Sequence, residues 1–512
     1  MKYQHALMSE NCQLFNPKSG ILLTMELNHE QCYAAIQSRD ERFDGRFFTG
    51  VKTTGIYCRP VCPATTPRSE NVTFYTTAAA AAAAGFRPCL RCRPESSPGT
   101  PEWQGGSAVV SRALRLISDG VMDEGGVDTL AQRLHLGSRQ LRRLFNQHLG
   151  VSPVTVGQTR RLHFAKKLID ETDLPMTEIA FTAGYSSIRR YNDAIQEVYG
   201  RTPTELRKNV EESPIPKKAP ITLKLAYRPP FNWPAMLNFL AVRATPGVEW
   251  IEQDSYYRTI TFGQESGIIS VKPVPNRNYL LLSVPLNLSR FLFPTAERIR
   301  RLFDLQADPV QICNHLCGDP LLAAAEKTEF RLPGTWDGFE IALRAILGQQ
   351  VTVRAATTLM GRLVERCGTP LPESELPHLP TQLTHLFPTP EQVAAADLTG
   401  LGTTRQRIAA VQTLANAVLE GALSFTTPTT LEEAIETLTA LPGIGRWTAH
   451  YIAMRGLSEP DAFPAGDLIL RRAAAPSPGK PLTEKQLLKT AEAWRPWRAY
   501  AAILLWQKAA NE

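Results

Sequence analysis

No apolar run in the 512-residue sequence approaches the ~18 residues that a membrane-spanning helix requires, so a helical membrane protein is excluded. A signal-peptide core is missing too, since Ile21, Leu22 and Leu23 form the only apolar island near the start. The nine cysteines are therefore expected in a reducing cytoplasm, and an odd number weakens a disulfide framework further. There is no tandem repeat of solenoid type. Charge is not strongly biased: a formal net charge of +7 permits nucleic-acid binding without requiring it. What remains is a soluble globular chain, 43% hydrophobic and 21% charged, long enough for roughly three to four domains.

Three stretches rich in Pro, Ser or Gly read as linkers, at about 94–106, about 211–220 and more weakly about 318–335. Residues 1–25 lack periodicity and read as a loose tail, and Met25, which opens the first patterned stretch, is an alternative start. From 106 to 208 the pattern is helical, with turns at Gly125-Gly126, Gly150 and Gly184. Strand-like stretches at 256–262 and 279–284 accompany a helix expected near 235–244, giving an α+β segment. Beyond Trp336 the chain returns to helices punctuated by Gly and Pro.

Cys58 and Cys62 (C-x3-C) and Cys89 and Cys92 (C-x2-C) have the paired spacing that lets four thiolates converge on one Zn²⁺. A closed structural zinc has the same signature. Here, however, the pairs lie among Arg59, Arg87, Arg91 and Arg93, side chains able to hold a phosphate backbone against the metal. The alanine run 78–84 between the pairs should form a short helix ended by Gly85. Cys12, Cys32 and Cys367 carry no evident chemistry. Cys313 and Cys317, with His315 between them on an expected helix, read as packed thiols rather than a second metal site.

The segments Arg39-Asp40-Glu41-Arg42-Phe43-Asp44-Gly45, Thr53-Thr54-Gly55-Ile56-Tyr57-Cys58-Arg59-Pro60 and Gly85-Phe86-Arg87-Pro88-Cys89 resemble the N-terminal domain of Ada-type alkylation-response activators. That resemblance implies one zinc held by the four cysteines, with Cys58 accepting a methyl group from a DNA methylphosphotriester.

Two helix-turn-helix patterns follow in tandem, Leu130 to Phe145 and Ile179 to Tyr191, each with a small residue in the first helix and a Gly near the turn. Ser138 and Ser187 are placed as helix caps. Arg139, Gln140, Arg142 and Arg143 in one second helix, and Ser187, Arg189, Arg190 and Asn192 in the other, suit phosphates and base edges. With Gly184-Tyr185-Ser186 and Gly200-Arg201-Thr202-Pro203, the stretch resembles an AraC-type DNA-binding domain. It departs from that pattern at Ser187-Ile188-Arg189-Arg190-Tyr191, where Ser-x-Phe-x-Arg-x-Phe is often found.

In the C-terminal half, Leu441-Pro442-Gly443-Ile444-Gly445-Arg446-Trp447 has helix-hairpin-helix form; Gly443 and Gly445 permit a tight turn that aims backbone N–H groups at a phosphate. Asp467 follows in Phe463-Pro464-Ala465-Gly466-Asp467, where a helix cap and a pocket carboxylate are compatible readings. The hairpin and Asp467 resemble the HhH-GPD DNA glycosylases. The stretch from about 221 to 507 is similar to AlkA-type 3-methyladenine DNA glycosylases, through Arg228-Pro229-Pro230, Ser255-Tyr256-Tyr257, 301–305, 345–350 and 494–498. The resemblance makes Asp467 the catalytic carboxylate and puts Phe239, Trp447, Tyr451 and Trp506 around a flipped, cationic purine. Trp447 stands where relatives with lyase activity carry lysine, no cysteine after Cys367 could hold an iron–sulfur cluster, and Gln350 stands where a leucine wedge is found.

The expected architecture is multidomain and mainly α with α+β segments: a zinc domain at 26–95, a DNA-binding domain at 106–210, an AlkA-type N-terminal domain at 221–325 and an all-α glycosylase domain at 326–510. Implied partners are double-stranded DNA and RNA polymerase, with no membrane, in a nucleoid-associated bacterial protein. No Pro-Cys-His-Arg methyltransferase motif occurs, so O6-methylguanine repair is not expected. The competing readings are a non-enzymatic regulator with a degenerate glycosylase half, and a repair enzyme whose N-terminal half only tethers it to DNA.

Overall fold

The computed structural model describes residues 28–98, 108–207, 220–323, 331–371, 380–425, 430–476 and 480–511. The expected tail and most of the linkers at 94–106 and 211–220 lie outside these residues. The chain forms two compact units, 1–163 and 164–512.

In the first unit, helix α1 (His29–Ser38) starts at an Asn28 cap and precedes strands β1 (Phe48–Val51), β2 (Ile56–Cys58) and β3 (Val72–Tyr75). Helix α2 (Ala78–Ala83) follows, and strand β4 (Arg87–Pro88) completes a four-stranded sheet of order β3-β1-β2-β4. Gly50 in β1 is required by packing: a Cβ there would meet the Phe86 and Tyr75 rings at 2.9 Å. The alanine run forms the expected helix, capped by Thr77 and followed by Gly85 at φ 89°. Its small side chains let Ala81 pack against Phe48 and Tyr57.

Helices α3 (Ala108–Ser118), α4 (Val121–Arg133) and α5 (Ser138–Leu149) share a core with Ala79 of α2. Gly126, at φ 73°, breaks α4 where the Gly-Gly turn was expected. The α5 cap is Gly137 rather than Ser138, whose hydroxyl is drawn instead to the Asp128 carboxylate. Helix α6 (Pro153–Glu171) carries His163, which lies within the first unit. Its Nε2 pairs with the Tyr57 hydroxyl at 2.7 Å. Burial pushes the His163 pKa down to about 4, so the imidazole in this pair is neutral.

The second unit contains α7 (Met176–Thr182), α8 (Ile188–Tyr199), where Ser187 is the expected cap, and α9 (Pro203–Arg207). A five-stranded antiparallel sheet follows in the order β5-β9-β8-β7-β6. Its strands are β5 (Ile221–Ala226), β6 (Glu249–Glu252), β7 (Ser255–Phe262), β8 (Glu265–Pro273) and β9 (Tyr279–Val284), with α10 (Trp233–Ala241) after β5. The inward alternation of β5, Ile221, Leu223 and Leu225, meets the β9 register and covers α11 (Leu292–Leu302). Helix α12 (Pro309–Leu316) places the Cys313 and Cys317 sulfurs 2.8 Å apart. Helix α7 is bound to the same module, with Ser289 donating to the Glu178 carboxylate and Phe164 edge-on to Phe293 at 4.7 Å.

The rest of this unit is helical: α13 (Gly338–Leu347), α14 (Val353–Cys367), α15 (Pro390–Ala395), α16 (Arg405–Leu419), α17 (Leu431–Thr439), α18 (Arg446–Gly456), α19 (Leu468–Ala473), α20 (Glu484–Ala491) and α21 (Arg498–Asn511). Helix α13 is buried throughout, packed by α16 and α18. The sheet is tied to it by a buried ion group in which Arg258 of β7 reaches Glu340 of α13 at 2.5 Å and Glu249 of β6 at 3.3 Å. Removing one partner of such a buried group would leave an uncompensated charge, so its members are expected to be costly to replace singly.

Candidate functional site

The end of β2 and the turn after β4 bring the sulfurs of Cys58, Cys62, Cys89 and Cys92 within 4.8 Å of one another. Cys58 is half-buried on the strand end, while Cys89 and Cys92 are buried. The backbone N–H of Arg59 donates to Cys92 Sγ at 3.4 Å, the kind of contact that favours a thiolate. The donor set fits one tetrahedral zinc and leaves no fourth position open for water. Arg59 itself is committed: its guanidinium is bidentate on Asp44 and donates to the Cys92 carbonyl at 3.1 Å. Arg87, by contrast, is exposed.

On α5 the buried Leu141, Phe145 and Leu149 leave Arg139, Arg142 and Arg143 on the exposed face. On α8 the same division buries Tyr191, Ile195 and Tyr199 and exposes Arg189 and Arg190. Each motif thus presents a basic helix face to solvent, the form in which a recognition helix meets a groove.

The third site is built around Asp467. This residue caps α19 through a bond from Leu470 N to its Oδ1, 2.9 Å. Two indoles converge on the same carboxylate: Trp447 Nε1 donates to Oδ2 at 3.0 Å and Trp506 Nε1 to Oδ1 at 3.2 Å. Trp447 and Tyr451, one turn apart on α18, stack with centroids 5.5 Å apart and planes 8° apart. Trp506 of α21 meets Tyr451 edge-on at 6.4 Å. Phe239 of α10 joins through Arg455, whose guanidinium lies 5.1 Å from the Phe239 ring and 5.8 Å from that of Tyr451. Aromatic faces and a carboxylate held by two indoles therefore share one place, though they come from α10, α18, α19 and α21.

Beside it, Gly443 turns the hairpin at φ 87°, and a Cβ there would meet Ala410 at 2.6 Å. Helix α18 (Arg446–Gly456) has Gly445 as its N-cap and no side-chain cap, which leaves its first N–H groups available to an anion. A groove of about 700 Å³ runs from this turn to Thr404 and Arg407 of α16 and to Gln349 and Gln350. Gln349 donates to the Gly443 carbonyl at 2.8 Å, latching the α13–α14 turn to the hairpin. Gln350 stands exposed at the tip of that turn in left-handed conformation, φ 54°.

His450 supports the loop that carries Asp467, accepting the Phe463 N–H on Nδ1 at 3.3 Å. Burial, with Arg446 and Arg498 nearby, lowers its pKa to about 4. The folded domain therefore keeps it neutral while the unfolded chain binds a proton near pH 6.5, so stability is complete above that pH and falls as pH drops to about 4. Denaturant unfolding of the chain should lose about 3 kcal/mol over this window from His450, and His450→Gln should flatten the dependence. An unchanged slope in the variant would contradict this.

Family models match in four consecutive blocks: the metal binding domain of Ada at 31–95, a helix-turn-helix domain at 130–209, the AlkA N-terminal domain at 222–337 and the HhH-GPD superfamily base excision DNA repair protein at 343–496. The chain is 42% identical over 487 residues to the "Probable bifunctional transcriptional activator/DNA repair enzyme AlkA" of Mycobacterium tuberculosis, covering 94% of this chain and 97% of that one. The chain belongs to this family. Its C-terminal 55% is 38% identical to DNA-3-methyladenine glycosylase 2 of Escherichia coli, over 95% of that protein. Its N-terminal part is 29% identical to the bifunctional transcriptional activator/DNA repair enzyme AdaA of Bacillus subtilis, covering 36% of this chain and 84% of that protein. In this bifunctional family member the four cysteines bind zinc.

Some functional neighbours escaped the sequence reading. Asp44, which occupies Arg59, lies in the resemblance segment but carried no assigned role. Arg243, Arg344 and Arg455 are set around Tyr451 by three different helices or their ends, and no local spacing signals that.

Proposed function

We propose that this chain couples a methylphosphotriester sensor and transcription activator to a glycosylase that excises alkylated purines of the 3-methyladenine kind from double-stranded DNA. The observation that carries the glycosylase half is the Asp467 carboxylate, held by Trp447 and Trp506 against an aromatic pocket beside an uncapped hairpin helix. A purine alkylated at N3 or N7 is already a cationic leaving group, so little acid catalysis is needed. Phe239, Trp447, Tyr451 and Trp506 stack on the flipped base, Gly443 and Gly445 let the hairpin amides hold the backbone, and Asp467 stabilises the oxocarbenium sugar and orients water. Released 3-methyladenine and 7-methylguanine, measured after incubating the protein with methylated duplex DNA, test this half directly.

With tryptophan at 447, the hairpin position that holds the lysine nucleophile in lyase relatives offers no amine for a Schiff base. The product is expected to be an intact abasic site, without strand cleavage above background; a borohydride-trapped enzyme–DNA adduct would contradict this.

In the sensor half, Cys58 is the methyl acceptor, exposed enough on the β2 end to reach a phosphotriester. Bound zinc supplies the thiolate, the nucleophilic form of cysteine. The Cys58 sulfur takes the methyl, the electron pair of the broken C–O bond stays on the phosphate oxygen, and one negative charge is lost from the cysteine centre. Repulsion from DNA phosphates drops, with Arg87 beside the centre and Arg139, Arg142, Arg143, Arg189 and Arg190 on the helices to engage DNA. One charge removed about 6 Å from a phosphate, at an interfacial dielectric, is worth on the order of tenfold in affinity. Methylated protein should show that tighter operator binding in salt-matched titrations, and equal affinities would refute it. The Tyr57–His163 bond ties the β2 strand, which ends at Cys58, to α6 within the first unit. RNA polymerase is the implied partner, in the bacterial cytoplasm at the nucleoid.

A further inference from the structure

The two helix-turn-helix motifs are not fastened to the same part of the protein. The first belongs to the compact unit 1–163, where Leu141 and Phe145 of α5 share one core with Ala79 of α2, the helix between the two cysteine pairs. The second belongs to the unit 164–512, with the five-stranded sheet and the glycosylase helices. Each basic helix face is therefore built into a different half.

The second attachment is made of specific contacts. Phe164 of α6 and Phe293 of α11 are both buried and meet edge-on at 4.7 Å. Strand β5 is an edge of its sheet, and the backbone N–H of Lys224 on it donates to Glu171 Oε2 of α6 at 2.9 Å. The other oxygen of that carboxylate takes Lys167 at 3.0 Å, with both side chains almost fully buried. From α7, the Glu178 carboxylate accepts from the Ser289 hydroxyl, and Thr182 Oγ1 donates to the Ser289 carbonyl at 3.5 Å. Thr182 and Ser289 are buried, and Ser289 lies in the 3-10 helix Leu286–Phe291 that leads into α11.

Apolar faces alone could slide past one another, but these polar groups fix one register. Pulling α7 away from the sheet would bare two phenylalanines and leave an edge N–H, the Glu171 carboxylate and the Ser289 hydroxyl short of the partners they have here. Helices α7 to α9 and the sheet are thus expected to open together.

Resting on the reading of α8 as a DNA-recognition helix, we propose that the AlkA-type N-terminal module has a second function. It is the platform that holds α8 for sequence reading, so the glycosylase half is itself one of two operator-reading halves. The sensor half meets the operator through α5 and the glycosylase half through α8. Arg189 and Arg190 make the contacts, and the platform keeps the cost of ordering α8 out of the binding step.

The test uses the full chain and a duplex enriched by it from a random-sequence pool. In hydrogen exchange under rising denaturant, α8 amides should share their opening with β5 and β9 rather than with α5. Free duplex at roughly 100 times its Kd should slow that opening about 100-fold, in β5 and β9 as much as in α8. Arg189→Ala with Arg190→Ala should weaken binding and remove this effect. Ser289→Asp sets a carboxylate against Glu178; it should weaken duplex binding about 10-fold and keep 7-methylguanine release within about twofold, the latter reporting an intact glycosylase fold. Adding Glu178→Gln, whose amide donates to the new carboxylate, should restore binding. Should Ser289→Asp also lose base release, the wild-type exchange result decides. Amides of α8 that exchange while β5 and β9 stay protected, duplex protection confined to α8, or wild-type binding by Ser289→Asp would each overturn the proposal. Unchanged binding in the double arginine variant would overturn the recognition-helix reading and this proposal with it.

Discussion

Asp467→Asn should lower the single-turnover excision of 7-methylguanine on the order of 10³-fold, about 4 kcal/mol of transition-state stabilisation, while leaving the domain folded. Asparagine caps a helix as well as aspartate, so the bond from Leu470 N at the start of α19 survives. What disappears is the negative charge facing the sugar. With the amide oxygen at the Oδ1 position, where it accepts from Leu470 N, it still accepts the Trp506 indole, but the amide nitrogen cannot accept from Trp447, which loses its partner. Base affinity should therefore weaken by a smaller factor than the chemical step, visible as a modest rise in the half-saturating enzyme concentration. A variant within tenfold of wild type would mean that the carboxylate serves the helix cap and the indoles rather than the reaction.

Cys58→Ala should abolish methyl uptake from methylphosphotriester DNA and reduce reporter activation to the uninduced level, with base release unchanged within about twofold. The separation is expected because Cys58 and Asp467 lie in different compact units. Loss of one of four ligands also weakens zinc, so a control must separate metal from acceptor. Cys62→Ala keeps Cys58 while removing a ligand. Methyl incorporation that survives in Cys62→Ala but not in Cys58→Ala identifies the acceptor; activation that persists in Cys58→Ala would make the N-terminal half a tether.

The parts of the site that were readable in advance are those written in local spacing. The two short cysteine pairs need only a strand end and a turn to converge. Gly443 carries a positive φ that the hairpin demands, and Trp447 and Tyr451 stand one helical turn apart. Asp467 was readable both as cap and as pocket carboxylate, and it is placed as a cap with two indoles on the same group. Contacts across long stretches were not readable. Arg59 was expected to hold phosphate, but Asp44 engages it through folding of the zinc domain. The arginines around Tyr451 come from α10's end, α13 and α18, so only tertiary packing reveals them. Ser138 looked like the cap of α5, but a cap is decided by backbone conformation, and Gly137 has the extended one at φ −75°, ψ 142°.

The central claim, that one chain both records backbone methylation and removes methylated bases, is tested most directly on a single preparation. Purified protein is incubated with methylated duplex DNA, free 3-methyladenine is quantified by chromatography, and methyl on the Cys58 peptide is quantified by mass spectrometry. The account predicts that Cys58 saturates at about one methyl per chain while base release continues through many turnovers. Folded protein that releases no base, or releases base without ever methylating Cys58, would contradict it.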